Sequence, residues 1–360
     1  MLFDSKIKIG NKYIGDGFPT FITFEAGPTH DSFSSAKELI KMAADSGADA
    51  IKFQILDPER LMADKKQIFE YEYLLNNKTN KIVSKKESLY KILKRRSLKM
   101  SEWAKLKKFS DSLNIAFFAT IAFEDEIEFV KDIGCESIKI ASADVNYLQL
   151  IRKAAKTGLS IQLDTGNSTI GEIEKAARVI YETGNKKLIV HHCPTGYPAK
   201  LDAVNLRIIK SLKQLFNFPI AFSDHSPGYD MDIAAICFGA NLLEKTITKD
   251  KTTPSVEHIM SLEKEEAGIF IKKVRDLEKA FGASVKILSS KDEKKRSMIR
   301  RSPYLKNNEC KNTVLKKIDV IFSRPGVGIT PEEYEILRKK GKLKNNLKSG
   351  DVLKIDDIIL

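Results

Sequence analysis

The chain has 360 residues, 42% of them hydrophobic and 30% charged, with a net charge of +13; this is too apolar for a disordered chain and long enough for one large domain with a smaller companion. No run approaches the roughly 20 apolar residues that cross a bilayer, and the start MLFDSKIKIG has no apolar signal segment, so the expectation is a cytoplasmic protein with no membrane partner. The basic residues are mostly lysines interleaved with acids, as in Lys264-Glu265-Glu266, which argues for solvated helix faces and against a nucleic-acid partner, and the scattered Cys135, Cys193, Cys237 and Cys310 form no CxxC pair that would suggest disulfides or a cysteine zinc site.

From residue 20 onward short apolar runs alternate with stretches of helical period. Strands are expected at Phe21–Phe24, Ala50–Phe53, Ile115–Ala119, Ser137–Ile140, Ser160–Leu163, Leu188–His191, Ile220–Phe222 and Leu242–Leu243. Helices are expected at Ser35–Ser46, Ser101–Ser112, Glu124–Ile133, Tyr147–Lys156, Ile170–Glu182, Ala203–Leu215, Met231–Phe238 and Leu262–Phe281. Eight strands in strict alternation with helices predict an α/β fold of the (β/α)8 TIM-barrel type. The charged segment Asp57–Lys99 reads as an insertion over the barrel mouth carrying two extra helices. Beyond Phe281 the pattern changes, which divides the chain into a barrel domain over 1–285, a polar linker over 286–301 and a small β-rich domain over 302–360.

Catalytic groups of a barrel project from the carboxyl ends of its strands. Those positions here hold Glu25, Lys52 with Gln54, Thr120, Lys139 with Ser142 and Asp144, Asp164 with Thr165, His192, Asp224 with His225, and Glu244 with Lys245. One polar strand end is only a meeting with solvent; the whole set points to a site. His192 in HHCPTGYP and His225 in FSDHSPGY end adjacent strands, where facing imidazoles ligate a divalent ion and leave positions for substrate and water; the bland alternative is a pair of hydrogen-bonded structural histidines. Lys52 and Lys139 are either point charges for a phosphate or carboxylate, or lysines snorkelling from the rim. Thr165-Gly166-Asn167-Ser168 offers a weak anion cradle before a helix, with Ser168 as its substrate-facing hydroxyl.

The segments FITFEAGPTHDSFSSAKELIKMAADSGADAIKFQ, IKIASADVNYLQLI, HHCPTGYPAKLDAVNLRIIKSL, IAFSDHSPGYDMDIAAICFGANLLEK and FSRPGVGITPEEYE together resemble the sialic acid synthase family, over nearly the whole chain and including a C-terminal antifreeze-like (SAF) domain from about Ser302. The resemblance implies a transferase that condenses phosphoenolpyruvate with an N-acetylated hexosamine-type aldehyde into a nonulosonic acid, with release of phosphate. It implies a manganese or magnesium ion on His192 and His225, Glu25 as a catalytic carboxylate, and Lys52, Thr120, Lys139 and Ser142 around phosphoenolpyruvate. Gln54 and Asp144 fall where the family contacts the sugar. Arg324 resembles the arginine that the antifreeze-like domain sends into a partner subunit's site, implying a domain-swapped homodimer. Departures from the family pattern, Thr29 for Asn, Ala143 for Gly, Thr246 for His and the run Asp164–Ser168 for S-T-G-M-S, bear on the choice of sugar more than on the reaction.

In that reaction C3 of phosphoenolpyruvate attacks the sugar aldehyde, water adds at C2 and phosphate leaves, with Glu25 as base or water-positioner. Two rival readings are a Schiff-base aldolase using a desolvated lysine on the same barrel, and a non-catalytic carbohydrate-binding protein on a degenerate one.

Overall fold

Eight strands, Phe21–Glu25, Ala50–Gln54, Ala116–Ile121, Ser137–Ile140, Ser160–Asp164, Leu188–His192, Ile220–Asp224 and Leu242–Thr246, here numbered 1 to 8, pair in parallel and in chain order, and strand 8 closes on strand 1 with Leu242 opposite Phe21. This computed structural model describes residues 1–360, which divide into two units, Met1–Gly282 and Ala283–Leu360. The expected (β/α)8 barrel forms in the first. Strands 1, 6, 7 and 8 are buried at every position, as strands covered on both faces must be, and their residues accordingly read as apolar runs broken by polar groups, several of which line the lumen. The surrounding helices follow their apolar stripes. Phe33–Ser46, for example, is capped by Ser32 with Ser35, buries Leu39, Ile40 and Ala43, and stops at Gly47, whose φ of 88° suits a residue without a Cβ. None of the helices is long and apolar enough to cross a membrane.

Four features depart from the sequence expectations. A hairpin of Lys6–Ile9 and Lys12–Gly15 precedes the barrel, and its Ile7, Ile9 and Ile14 pack against Phe21, Phe118, Ile189 and Leu242, closing the end of the lumen opposite the strands' carboxyl termini. The helix expected at Ala203–Leu215 is two pieces, Leu201–Val204 and Arg207–Leu215, because Asn205 adopts the left-handed conformation between them. The 57–99 insertion has its two short helices, Pro58–Leu61 and Leu89–Arg95, but also a long antiparallel hairpin, Ile68–Asn76 with Lys81–Ser88. The segment 286–301 is no plain tether: Ser290–Ile299 is a helix capped by Ser289, and the Ser297 carbonyl accepts from the Gly326 N–H.

The second unit holds the strand pairs Ser302–Leu305 with Val320–Ser323 and Lys342–Leu343 with Ile358–Ile359, plus the helix Pro331–Leu337. That helix is started by Thr330 and Glu333 in a capping box, and Leu305, Leu315, Ile329, Tyr334, Leu343 and Leu353 form a separate small core. Arg324 follows strand Val320–Ser323 and is exposed; the turn beneath it is held by the Tyr304 hydroxyl donating to the Pro325 carbonyl at 2.7 Å.

One buried side chain of the barrel gives a measurable signature. The His30 ring lies edge-on to Phe53 and Trp103, each with centroids 5.5 Å away, and neither ring nitrogen has a hydrogen-bond partner. Burial, with Arg96 nearby, holds its pKa down to about 3 from 6.5. The folded state therefore keeps the neutral ring while the unfolded chain takes up a proton below 6.5, so the stability from this group is full above that pH and is lost as pH falls toward about 3. His30→Leu should remove this loss. Between about pH 7.5 and about pH 5 the variant is expected to gain roughly 2 kcal/mol on the parent in urea unfolding, and an unchanging gap would mean that the ring is partnered.

Candidate active site

A cavity of about 360 Å³ opens at the carboxyl ends of the strands, within the range of small-molecule sites. Its floor is a chain of alternating charge that crosses the lumen. Glu25 on strand 1 pairs with Lys52 on strand 2 at 2.5 Å, and Lys52 donates to Glu244 on strand 8 at 2.7 Å. The second Glu244 oxygen accepts from Lys139 on strand 4 at 2.8 Å, and Lys139 reaches Asp164 on strand 5 at 3.1 Å. Lys139 also donates to Nδ1 of His191 at 3.2 Å, which leaves Nε2 to carry the hydrogen toward the Gln162 side-chain oxygen at 2.9 Å. Strand register brings these groups together, since every second residue of a barrel strand faces the lumen.

The lysines do not snorkel: Lys52 is 3% exposed and Lys139 0%. Burial works against the Lys52 ammonium, but Glu244, Glu25 and Asp164 outweigh it and hold the group well above the ordinary lysine value. Burial likewise opposes the Glu244 carboxylate, yet Lys139 and Lys52 hold it well below the carboxylate range. For Glu25 burial wins, with Glu244 adding to it against the pull of Lys52, and the carboxyl is pushed up. Glu25 is therefore the proton-avid member of the floor. Its loop leaves no room for a side chain at Gly27, where a Cβ would lie 2.6 Å from Gln54 Cγ and 2.7 Å from Glu25 Oε1; instead the Gly27 N–H donates to Glu25 Oε1 at 2.5 Å.

Gln54, Thr120, Ser142, Asp144 and His225 line the same cavity as Glu25 and Lys52, while Lys139 and His192 lie behind the surface. Burial raises the Asp144 carboxyl. Ser168 is not among the residues that line the cavity; its hydroxyl lies 3.4 Å from the Gly166 carbonyl. His192 is also not the plain rim residue that its strand-end place suggests. It is 6% exposed, stacks on Phe222 and is bonded through Nε2 to the Val204 carbonyl at 2.7 Å. His225 stacks on Tyr197 with centroids 4.5 Å apart and is bonded through Nδ1 to the Pro194 carbonyl at 3.1 Å.

No group of three or more His, Cys, Asp and Glu side chains forms a complete metal cage. The two imidazoles nonetheless suit a divalent ion. Each spends one N–H on a backbone carbonyl, which fixes the tautomer and leaves Nδ1 of His192 and Nε2 of His225 as lone pairs, and burial lowers both pKa values and keeps the rings neutral. The floor carries three carboxylates, Glu25, Asp164 and Glu244, against the two ammoniums of Lys52 and Lys139, and Asp164 and Glu244 act on the His225 ring.

The sequence profile described as NeuB family matches residues 39–286. This chain belongs to the NeuB family. The chain is 31% identical to N,N'-diacetyllegionaminic acid synthase of Campylobacter jejuni over 91% of this chain and 96% of that protein. It is also 31% identical to the enzyme of the same name from Legionella pneumophila, over 96% of each. Among solved structures it resembles N-acetylneuraminic acid synthetase from Leptospira borgpetersenii in complex with citrate, with TM-score 0.70 and 30% identity over 82% of this chain and 96% of that one.

Some residues of this NeuB-family site had no local sequence signal as members of it, whereas Asp224 and Lys245 stood among the polar strand ends. His191 and Ser223 face the lumen from mid-strand positions, and only barrel closure brings them to Lys139. Asp224 accepts from the Ser226 N–H and hydroxyl, each at 2.9 Å, and pairs with Lys245, which donates to the Ser226 carbonyl, so the turn that carries His225 is clamped from strand 8. Burial and the neighbouring Asp224 push the carboxyl of Asp232, behind this clamp, well above its usual value. Arg96 and Glu257, from the insertion and the loop after strand 8, line the cavity as well.

Proposed function

We propose that this chain is a cytoplasmic nonulosonic acid synthase that condenses phosphoenolpyruvate with the open-chain aldehyde of an N-acylated amino sugar and uses a divalent ion, manganese or magnesium, held by His192 and His225. The observation that carries this reading is the buried Glu25–Lys52–Glu244–Lys139–Asp164 chain under a cavity of small-molecule size, set in a NeuB-family sequence.

Lys52 and Lys139 supply fixed positive charge beneath an anionic donor, and the hydroxyls of Thr120 and Ser142 supply hydrogen bonds to it. Gln54 and Asp144 orient the sugar so that its aldehyde carbon meets C3 of the donor. Glu25, whose carboxyl is pushed up by burial, accepts the proton of the water that adds at C2. Phosphate then leaves from the same carbon. His192 and His225 would hold the divalent ion, which would supply Lewis-acid polarisation of the aldehyde oxygen, a contribution of roughly several kcal/mol. The Schiff-base alternative needs a neutral amine, whereas Lys52 is held as an ammonium by three carboxylates. The test is phosphate release from phosphoenolpyruvate by the purified protein, offered N-acetylmannosamine and 2,4-diacetamido-6-deoxyhexoses. Release that requires both sugar and divalent ion supports the reading; release with neither, or none with any acceptor, overturns it.

We further read the second unit as an antifreeze-like domain that serves a partner's barrel in a domain-swapped homodimer. Helix Ser290–Ile299 shortens the tether to the seven residues Ala283–Ser289, a reach of at most about 25 Å. Arg324, exposed on its braced turn, is the group presented. Arg324→Ala is expected to raise the Michaelis constant for the sugar about tenfold or more while sparing that for phosphoenolpyruvate, the loss of a charge-assisted hydrogen bond. Co-expression with a His225→Ala barrel should restore activity in hybrid dimers, and hybrids that form but stay inactive would place Arg324 outside the partner's site.

A further inference from the structure

The cavity has a second wall whose chemistry the reaction above does not use. Arg96 follows helix Leu89–Arg95 in the insertion and is 6% exposed. A guanidinium has five N–H donors, yet this one makes a single long hydrogen bond, from Nη2 to the Val256 carbonyl at 3.4 Å, and no ion pair. Arg96 lines both the main cavity and a second one. Next along the chain from Val256, Glu257 is buried in a left-handed conformation at φ 76°, and its only side-chain hydrogen bond is a 3.5 Å contact from the Thr246 hydroxyl. Around this donor and this acceptor the wall is apolar, with Phe69, Leu89, Ile92 and Val256. It is also preformed. Ile92 and Val256 share a buried cluster with Tyr71, and the Tyr71 hydroxyl donates to the Pro254 carbonyl at 2.7 Å, pinning the hairpin to the loop after strand 8.

A donor-only group, an acceptor-rich group and an apolar face together match one substituent. A secondary amide has a carbonyl for Arg96, an N–H for Glu257 and an alkyl end for the apolar wall. A phosphate would satisfy Arg96 but meet the Glu257 carboxylate, and a bare hydroxyl would leave the apolar face wet. We propose that Arg96 and Glu257 form a specificity subsite for an acylamino group of the acceptor sugar. Resting on the function proposed above, this makes the acyl group a requirement and assigns it to a wall built by the insertion and the loop after strand 8.

The test pairs acceptors that differ in one substituent: N-acetylmannosamine against mannose, and a 2,4-diacetamido-6-deoxyhexose against its 4-hydroxy analogue. Binding to the parent protein is measured by calorimetry or by NMR saturation transfer to the acetyl methyl group, and phosphate release is measured in parallel. One member pair is expected to show tighter binding of the acetamido form by about 10- to 100-fold, the range of a hydrogen bond to a charged group. Arg96→Ala and Glu257→Gln should each shrink that preference to within a few-fold and leave the Michaelis constant for phosphoenolpyruvate unmoved. Should Arg96→Ala fail to fold, Arg96→Lys, which keeps the charge and loses the planar fork, replaces it. Equal binding within both pairs, a preference that survives both variants, or tighter binding of N-acetylmannosamine 6-phosphate that depends on Arg96 would each overturn the subsite. If no acceptor supports phosphate release, the proposed reaction fails while the binding comparison still decides the subsite.

Discussion

Replacing Glu244 with Gln is expected to cost about 3 kcal/mol of stability and to silence the enzyme. This carboxylate is the shared partner of two buried ammoniums, at 2.7 Å from Lys52 and 2.8 Å from Lys139. Breaking a buried ion pair by removing one member typically costs about 3–5 kcal/mol, since the other charge stays buried without its counterion. The lower end applies here because Glu25 and Asp164 remain beside the lysines. The two ammoniums would then lose the group that spaces them and draw toward those outer carboxylates, which takes positive charge away from the donor's place. Urea unfolding of the variant reads the first effect and phosphate release the second. An unchanged midpoint would mean that the network is not a structural element, and full activity would mean that the lysine positions do not matter to the chemistry.

The histidine pair should separate into two different phenotypes. His225→Ala is expected to abolish turnover, by about a thousandfold or more if several kcal/mol of Lewis-acid stabilisation are lost, with little change in stability, because this ring is half-buried and bonded only to the Pro194 carbonyl. His192→Ala should abolish turnover too, but also destabilise the barrel by about 1–3 kcal/mol, as the Val204 carbonyl loses its buried donor. Binding of manganese, followed by the electron spin resonance of the free ion, should weaken in both variants. Parent-like metal affinity in both, or full activity after chelation of the parent, would remove the ion from the mechanism.

The barrel and the ends of its strands were legible in the sequence because both rest on local patterns. Mostly apolar runs such as Phe21–Phe24 and Leu188–His191 mark strands, and the residue after each run, Glu25 or His192, falls at the strand's carboxyl end by construction. What the sequence withheld depends on closure. Glu244 stood out as a strand-end acid, but its place between Lys52 and Lys139 exists only when strand 8 meets strand 1 across the sheet. The N-terminal hairpin was readable in hindsight, with Ile7 and Ile9 alternating ahead of Gly10, whereas the hairpin in the insertion is obscured by its charged, mostly exposed residues. Arg96 and Glu257 lie 161 positions apart in segments without motif, and neither gives a local hint of sharing a wall.

The insertion also bears on how such an enzyme changes over generations. Its long hairpin pairs only with itself and shares no hydrogen-bond ladder with the barrel, yet Phe69, Leu89 and Arg96 reach the cavity from the segment that contains it. The floor is the opposite case: Lys52, Glu244 and Lys139 each pair with two others on different strands, so a change at one has to be met by changes elsewhere. Substitutions in the insertion can therefore reshape one wall of the cavity without disturbing the strand pairing or the floor, a separation that leaves that wall freer to vary than the charged chain beneath it.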